Sequence, residues 1–172
     1  MNFLKKEIIA MDTGFEKASA YLKQKGYEER ILVFKESTAT VALAAAQVGC
    51  EEAHIAKTIS FYDQKQANAI LIVAAGDTKV DNKKFKAYFG FKPKMLKAED
   101  VEAFTGYLPG GVCPFGNKQA AVFLDRSLDR FETVYPACGN AQSAVRLKID
   151  ELEDILNISH GERVDICLIK DA

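Results

Sequence analysis

The chain has 172 residues, of which 48% are hydrophobic and 27% charged, and its net charge is −1. That length fits one domain, residues 1–172, with a core of its own, and the near-neutral charge excludes a basic nucleic-acid coat protein. Any contact with RNA would therefore come from a local patch. No apolar run approaches the ~20 residues of a membrane span. The N-terminus, MNFLKKEIIAMDTG, lacks the apolar region of a signal peptide, so we expect a cytoplasmic protein that does not contact membranes.

The first half of the chain reads as an alternation of helices and strands. Apolar residues at helical spacing predict a helix over residues 13–26, and ILVFK at 31–35 predicts a strand. A second helix follows, with Ser37, Thr38 or Thr40 as its N-cap and Gly49 as its end. The runs AKTISFY and AILIVAA are typical of strands and are separated by the polar turn DQKQAN, which favours a hairpin.

The second half contains shorter elements. Asp81 or Asn82 is suited to cap a short helix that ends at Gly90, and AEDVEAFTG predicts another helix that ends at Gly106. The remaining strand-like runs are KPKML, AAVFLD, FETVYP, AVRLKID and RVDICLIK, with a helix at DELEDILN before the last of them.

This order of elements favours an α+β fold with a mixed, curved sheet. A dinucleotide-binding fold is disfavoured, because no GxGxxG motif opens a helix after a strand.

The cysteines and histidines offer no metal site. Cys50, Cys113, Cys138 and Cys167 are far apart and form no CxxC pair, which argues against a zinc site and a disulfide framework and favours reduced thiols. The histidines, at positions 54 and 160, have no ligand spacing.

Lys57 stands out because it lies in the apolar run IAKTISF. It is either a lysine on the solvent face of a half-buried strand, or a cation directed into a cleft to hold a carbonyl, carboxylate or phosphate.

The segment GYLPGGVCPFGNK, residues 106–118, concentrates four glycines and two prolines in a chain that has 11 and 4 in all. Glycines expose N–H groups and prolines stiffen the backbone, so the loop could present N–H groups to an anion or an oxyanion. It could equally be a structural crossover that covers the core. Cys113 within it would need a base to act as a nucleophile, and a buried, inert thiol is the more common situation.

Residues 79–97 carry a cluster of lysines that is either a solvated surface or a phosphate-contacting patch. Its first four members are Lys79, Lys83, Lys84 and Lys86.

Taken together, four motifs resemble one family. AKT on a strand, AAGDTKVDNKKF, TGYLPGGVCPFG and VYPACGN occur in the order and at the spacing of the YbaK family of aminoacyl-tRNA deacylases, which includes the editing domain inserted in bacterial prolyl-tRNA synthetases. The resemblance implies a single compact domain with a barrel-like sheet flanked by short helices. It also implies a trans-editing hydrolase that cleaves the ester between a wrong amino acid and the 3′ end of a tRNA, with neither a metal nor an organic cofactor.

The resemblance also assigns site residues. The family's lysine matches Lys57, and its G-x-x-x-P loop matches Gly110, Gly111, Val112, Cys113 and Pro114. Backbone N–H groups between Gly111 and Phe115 would then bracket the ester. Substrate-binding candidates by motif neighbourhood are Thr38, Thr40, Thr58, Phe115, Gly116, Ala137, Gly139 and Asn140. The implied partners are the acceptor end of a mischarged tRNA and in addition an aminoacyl-tRNA synthetase, but not DNA. The lysine cluster would then meet phosphates of the acceptor stem, a role that the family does not fix residue by residue.

The motifs specify the identity of the substrate less closely than they specify the family. The ESTAT segment resembles variants that remove serine, threonine or alanine, from tRNA(Pro) or a related tRNA, whereas Ala137 stands where some cysteine-editing relatives carry a hydroxyl residue. The alternatives are a Cys-tRNA(Pro) deacylase and a non-catalytic module that binds tRNA or a synthetase.

Overall fold

The computed structural model describes residues 12–117 and 119–170, in which short helices and strands alternate. The helices are α1 (Thr13–Gln24), α2 (Val41–Val48), α3 (Asn82–Phe89), α4 (Ala98–Thr105) and α5 (Ile149–Leu156). The strands are β1 (Ile31–Val33), β2 (Ala56–Tyr62), β3 (Ala69–Ala75), β4 (Thr78–Val80), β5 (Ala121–Leu124), β6 (Thr133–Val134), β7 (Ser143–Val145), β8 (Leu147–Lys148) and β9 (Cys167–Ile169).

The predicted helix ends are confirmed by their caps. The Thr40 side chain accepts a hydrogen bond from the Leu43 N–H at 3.2 Å, and Asp81 accepts one from the Lys83 N–H at 3.2 Å. Gly49, Gly90 and Gly106 have positive φ angles at the C-termini of α2, α3 and α4, a conformation that glycine adopts without steric cost.

A mixed three-stranded sheet in the order β2-β3-β5 forms the centre. β2 and β3 are the predicted antiparallel hairpin, and β3 pairs with β5 in parallel. Every residue of β3 is buried, because both faces of the sheet are covered. Side chains that alternate along β3 pack on one face with Phe85 of α3 and on the other with α1, α4 and α5.

The barrel-like sheet that the family resemblance implied is not observed. Within the described residues the strands pair in four separate sheets, of which β1–β7, β4–β9 and β6–β8 have two strands each, and no closed barrel forms. The reason is the shortness of the outer strands. KPKML contributes only an isolated bridge between Phe61 and Met95, and RVDICLIK becomes a strand only from Cys167.

No helix in the described part of the chain is both long and apolar enough to cross a membrane.

Close backbone contact joins α1 to the segment that follows β6. A Cβ atom on Gly14 would lie 2.3 Å from the Gly139 carbonyl oxygen, and one on Gly139 would lie 2.2 Å from the Gly14 carbonyl oxygen. Gly139 also has a φ of +84°, so it is constrained by both conformation and contact.

We predict that Gly139→Ala destabilises the protein much more than Gly26→Ala. Gly26 also has a positive φ, of +87°, but nothing lies within 4 Å of its Cβ position, so its substitution measures the conformational cost alone, about 1–2 kcal/mol. Gly139→Ala adds a backbone clash and should lower the free energy of unfolding by more than about 3 kcal/mol in urea titrations. Equal losses for the two variants would contradict the close approach.

Candidate functional site

A cavity of about 430 Å³ opens beside the outer edge of β2, in the size range of small-molecule sites. Its walls come from five stretches of the chain, residues 38–44, 55–60, 95–101, 109–112 and 135–144. The side chains that line it are mainly small or apolar, with hydroxyl groups from threonines and serines and one cation. Among these described lining residues there is no His, Cys, Asp or Glu.

The cation is Lys57, whose half-buried side chain lines the cavity. Its ammonium donates hydrogen bonds to the carbonyl oxygen of Thr78, the first residue of β4, and, at 3.5 Å, to that of Gly76 in the turn between β3 and β4. Burial lowers the pKa of Lys57, and the charge of Lys170 lowers it further. Since an ammonium has three donors, one N–H remains for a ligand.

The glycine-rich loop reaches the cavity with Pro109, Gly110 and Val112. Gly111 lies behind them, where its N–H donates to the Leu108 carbonyl at 3.0 Å. A Cβ atom on Gly111 would lie 2.8 Å from the Cα of Asn140, so the loop packs directly on the neighbouring backbone.

The next part of the loop is an anchor. Cys113 and Phe115 are completely buried, and Pro114 is buried with them. The Tyr107 hydroxyl donates to the Phe115 carbonyl oxygen, and the Asn117 side chain donates to the Cys113 carbonyl oxygen at 2.9 Å. These contacts fix the loop to the core, and only Pro109, Gly110 and Val112 of the loop line the cavity.

Cys113 is not placed to act as a nucleophile. Burial raises the pKa of its thiol to about 11, although hydrogen bonds with the backbone of Phe115 and the side chain of Tyr107 oppose the shift. The thiol is therefore neutral at pH 7, and a thiol rather than a thiolate is a poor nucleophile.

Three predicted threonines line the cavity, but they differ in their hydrogen bonds. The Thr38 hydroxyl donates to the Ser143 carbonyl at 3.4 Å and accepts from the Ser143 N–H at 3.2 Å, and the Thr40 hydroxyl caps α2. The Thr58 hydroxyl oxygen is buried and has no partner among the described residues. Of these threonines, only Thr58 has a hydroxyl group without a hydrogen bond among the described residues.

The VYPACGN segment divides in the same way. Ala137 lines the cavity, whereas Asn140 lies outside it and joins neighbouring segments of the chain through hydrogen bonds. The Asn140 side chain donates to Asp12 at 2.8 Å and accepts from the Ser143 hydroxyl at 2.6 Å. Gly139 makes the contact with Gly14 described above.

Several predicted residues therefore lie near the cavity without lining it. Gly116 contributes to a second cavity of about 530 Å³, between α1, α4 and the far side of the loop. The predicted residues outside the first cavity are Gly111, Cys113, Pro114, Phe115, Gly116, Gly139 and Asn140.

The predicted RNA-contacting lysines lie on β4 and α3. Lys79, Lys83 and Lys86 are exposed, whereas Lys84 forms an ion pair with Asp165 at 3.0 Å, which raises its pKa.

Sequence reasoning missed several lining residues. They are Ala56, Ser60, Met95, Leu96, Val101 and Tyr135. Ala56 and Ser60 could have been found, because they belong to the same predicted strand as Lys57. Tyr135 could also have been found, because it belongs to the VYPACGN motif. Met95, Leu96 and Val101 come from distant segments, and no family motif marks them.

Within the described residues, no group of three or more His, Cys, Asp or Glu side chains is placed to hold a metal ion.

Comparison with known proteins places this site in context. Residues 35–155 match the aminoacyl-tRNA editing domain. The chain is 48% identical over 128 residues to "Uncharacterized protein YwhH" of Bacillus subtilis, which covers 74% of this chain and 81% of that protein. It is 28% identical over 142 residues to "Putative Cys-tRNA(Pro)/Cys-tRNA(Cys) deacylase EbsC" of Enterococcus faecalis, over 81% of this chain and 84% of that one.

A solved structure shows the same fold. It is described as "Crystal structure of a putative trans-editing enzyme for prolyl tRNA synthetase" and superposes with a TM-score of 0.79 at 24% identity, over 92% of this chain and 98% of the other.

We predict that Cys113, Cys138 and Cys167 resist a thiol reagent in the native protein at pH 7. All three are buried, and burial raises their pKa values to about 11, 12 and 12. Partly exposed Cys50 serves as the internal control for reagent activity. Mass spectrometry of labelled peptides should show modification of the three buried thiols only after unfolding. Rapid labelling of Cys113 in the native state would instead reveal an accessible thiolate.

Proposed function

Since the chain belongs to the aminoacyl-tRNA editing domain family, we propose that it is a trans-editing deacylase. It hydrolyses the ester that joins a wrong, small amino acid to the 3′-terminal ribose of tRNA(Pro) or a related tRNA in the cytoplasm. The observation that supports this most is the single cavity that brings together Lys57, Gly110, Val112 and Ala137. These residues come from three motifs that are far apart in the sequence.

The chemistry fits such a cavity. Water attacks the ester carbonyl carbon, a tetrahedral oxyanion forms, and the ribose oxygen leaves and takes up a proton. Because the ester is already activated, the protein needs mainly to position the water and to stabilise the oxyanion. The Lys57 ammonium and the backbone N–H groups of the loop supply positive charge and donors for that purpose.

No side-chain base is available in the cavity wall, because the described lining residues include no His, Asp, Glu or Cys that could act as a general base. In this proposal the water is activated either by a backbone carbonyl or by the neighbouring hydroxyl of the tRNA ribose. In the second case the reaction is substrate-assisted.

Small side chains in the cavity walls, including Ala56, Ala98 and Ala137, leave room for a small amino acid such as serine, threonine or alanine. Selection by size alone is weak, since one methylene changes binding by about 1–3 kcal/mol. Cysteine is the second candidate, supported by the similarity to EbsC.

We predict that Lys57→Ala lowers kcat/KM for the preferred mischarged tRNA by about 100-fold, because an oxyanion or substrate contact is lost. The assay is a panel of tRNA(Pro) charged with Ser, Thr, Ala or Cys. Lys57→Met, which keeps the length of the side chain, should be impaired to a similar degree if the charge is what matters.

Lys65→Ala, in the exposed turn between β2 and β3, is the control and should retain full activity. Undiminished turnover by both Lys57 variants would remove Lys57 from the mechanism. Binding of tRNA without turnover of any aminoacyl group would instead favour a non-catalytic binding module.

We also predict that tRNA binding depends on the lysine patch. Lys83→Ala/Lys86→Ala should weaken the affinity for uncharged tRNA and reduce the slope of log K against log salt by about 1–2, because each phosphate contact releases counterions. Filter binding at several salt concentrations measures both. Lys23→Ala/Lys65→Ala removes two exposed lysines elsewhere and is the matched control. An unchanged slope in the patch variant would exclude these lysines as phosphate contacts.

A further inference from the structure

The outer edge of β2 is only partly paired, and the unpaired part faces the cavity. Three bonds define which backbone groups point outward. The Ala56 N–H donates to the Tyr135 carbonyl at 3.1 Å, the Ser60 carbonyl accepts from the Leu96 N–H at 3.0 Å, and the Tyr62 N–H donates to the Lys94 carbonyl at 2.9 Å. Backbone groups alternate between the two edges of an antiparallel strand, so the even-numbered residues of β2 face away from β3.

Thr58 lies midway between these contacts, opposite Val73 of β3. By the same alternation, its N–H and its C=O both point away from β3, toward the cavity that Thr58 lines. Among the described residues neither group has a hydrogen-bond partner, and both neighbouring positions of the edge are also open, at the Ala56 carbonyl and the Ser60 N–H.

The side chain of the same residue adds independent support. The Thr58 hydroxyl oxygen is buried without a partner among the described residues. Buried polar atoms in folded proteins are nearly always hydrogen-bonded, and exceptions often mark a place that a ligand or water completes. Both the backbone and the side chain of Thr58 thus have unused hydrogen-bonding capacity at one wall of the cavity.

Thr58 has the backbone geometry of a strand residue whose outward N–H and C=O could pair with one residue on a neighbouring strand. In an antiparallel pair, two such residues exchange an N–H···O=C bond in each direction. An aminoacyl group is itself one residue, with an α-ammonium donor and a carbonyl acceptor on either side of its Cα. Peptide recognition by strand addition uses the same main-chain bonds.

We propose that Thr58 holds the aminoacyl group of the substrate as a one-residue extension of the central sheet. The Thr58 carbonyl accepts a hydrogen bond from the α-ammonium, and the Thr58 N–H donates to the ester carbonyl oxygen. This inference rests on the proposed deacylase function and identifies the group that orients the ester within it.

This pairing has two consequences for the reaction. The Thr58 N–H becomes one of the donors that stabilise the oxyanion as the carbonyl oxygen gains charge. The side chain of the amino acid projects to the same face of the sheet as those of Thr58 and Ala56, since opposite residues share a face. Ala56 packs there with Cys113 and Phe115, so the amino acid side chain points to the side of the glycine-rich loop.

The first test changes the substrate. The aminoacyl group that the panel shows to be turned over is compared with its desamino counterpart on the same tRNA, for example alanyl with propionyl. Both rates are divided by the uncatalysed rate of the same ester, because the ammonium also activates the ester in solution. We expect kcat/KM, corrected in this way, to fall at least about 10-fold without the ammonium, the usual effect of losing a charge-assisted hydrogen bond.

The second test changes the strand. Thr58→Pro removes the N–H that faces the cavity but no bond to β3, and proline is tolerated at such edge positions. Thr58→Val keeps the N–H and the shape and removes only the hydroxyl, so the difference between the two variants isolates the N–H. We expect Thr58→Pro to have a kcat at least about 10-fold below that of Thr58→Val. Thermal melting shows whether the proline variant is folded, and if it is not, the substrate comparison decides.

The outcomes separate the two proposals. Turnover of the aminoacyl ester with a marked loss for the desamino ester supports the pairing at Thr58. Equal corrected rates for the two esters overturn it and leave the deacylase function intact. Failure to hydrolyse any aminoacyl-tRNA overturns the deacylase function and the pairing together.

Discussion

The candidate site depends on backbone segments that approach each other more closely than any side chain would allow. The carbonyl oxygens of Gly14 and Gly139 each lie where a Cβ atom on the other residue would be, and Gly111 lies against the Cα of Asn140. These contacts join the start of α1, the glycine-rich loop and the segment after β6. With the loop packed on these neighbours, Gly110 and Val112 lie in the wall of the cavity that β2 also lines.

The central sheet explains why the cavity lies where it does. Both faces of β3 are covered, and β3 lies between β2 and β5, so its residues serve to pack the core. The candidate site therefore lies beside the edge strand β2. That edge is closed at one end by Tyr135 and at the other by Leu96 and Lys94. The stretch between them carries Lys57 and Thr58 and opens into the cavity. An unpaired strand edge can pair with other chains and cause aggregation. Here the unpaired part of the edge instead forms a wall of the cavity.

Local signals in the sequence predicted the elements well and the site in part. The hairpin of β2 and β3, the Thr40 and Asp81 caps and the glycine helix ends follow from side-chain chemistry that acts within a few residues. The family motifs pointed to Lys57, which lines the cavity. They did not distinguish residues that line the cavity from residues that pack behind it. Asn140 and Phe115 belong to conspicuous motifs, yet one staples a loop and the other is completely buried.

By itself, the sequence determined the helices, the β2–β3 hairpin, the family resemblance and the motifs that contain the site candidates, because these depend on residue type and spacing. Only the tertiary structure decided that the strands do not close into a barrel, that the Cys113 thiol is buried and neutral, and that the backbone of Thr58 is open to the cavity. The physical reason is that burial and strand-edge pairing are set by contacts between distant segments. Met95, Leu96 and Tyr135 reach β2 through such contacts, and the strand-like runs that contain them do not show that they would lie beside β2.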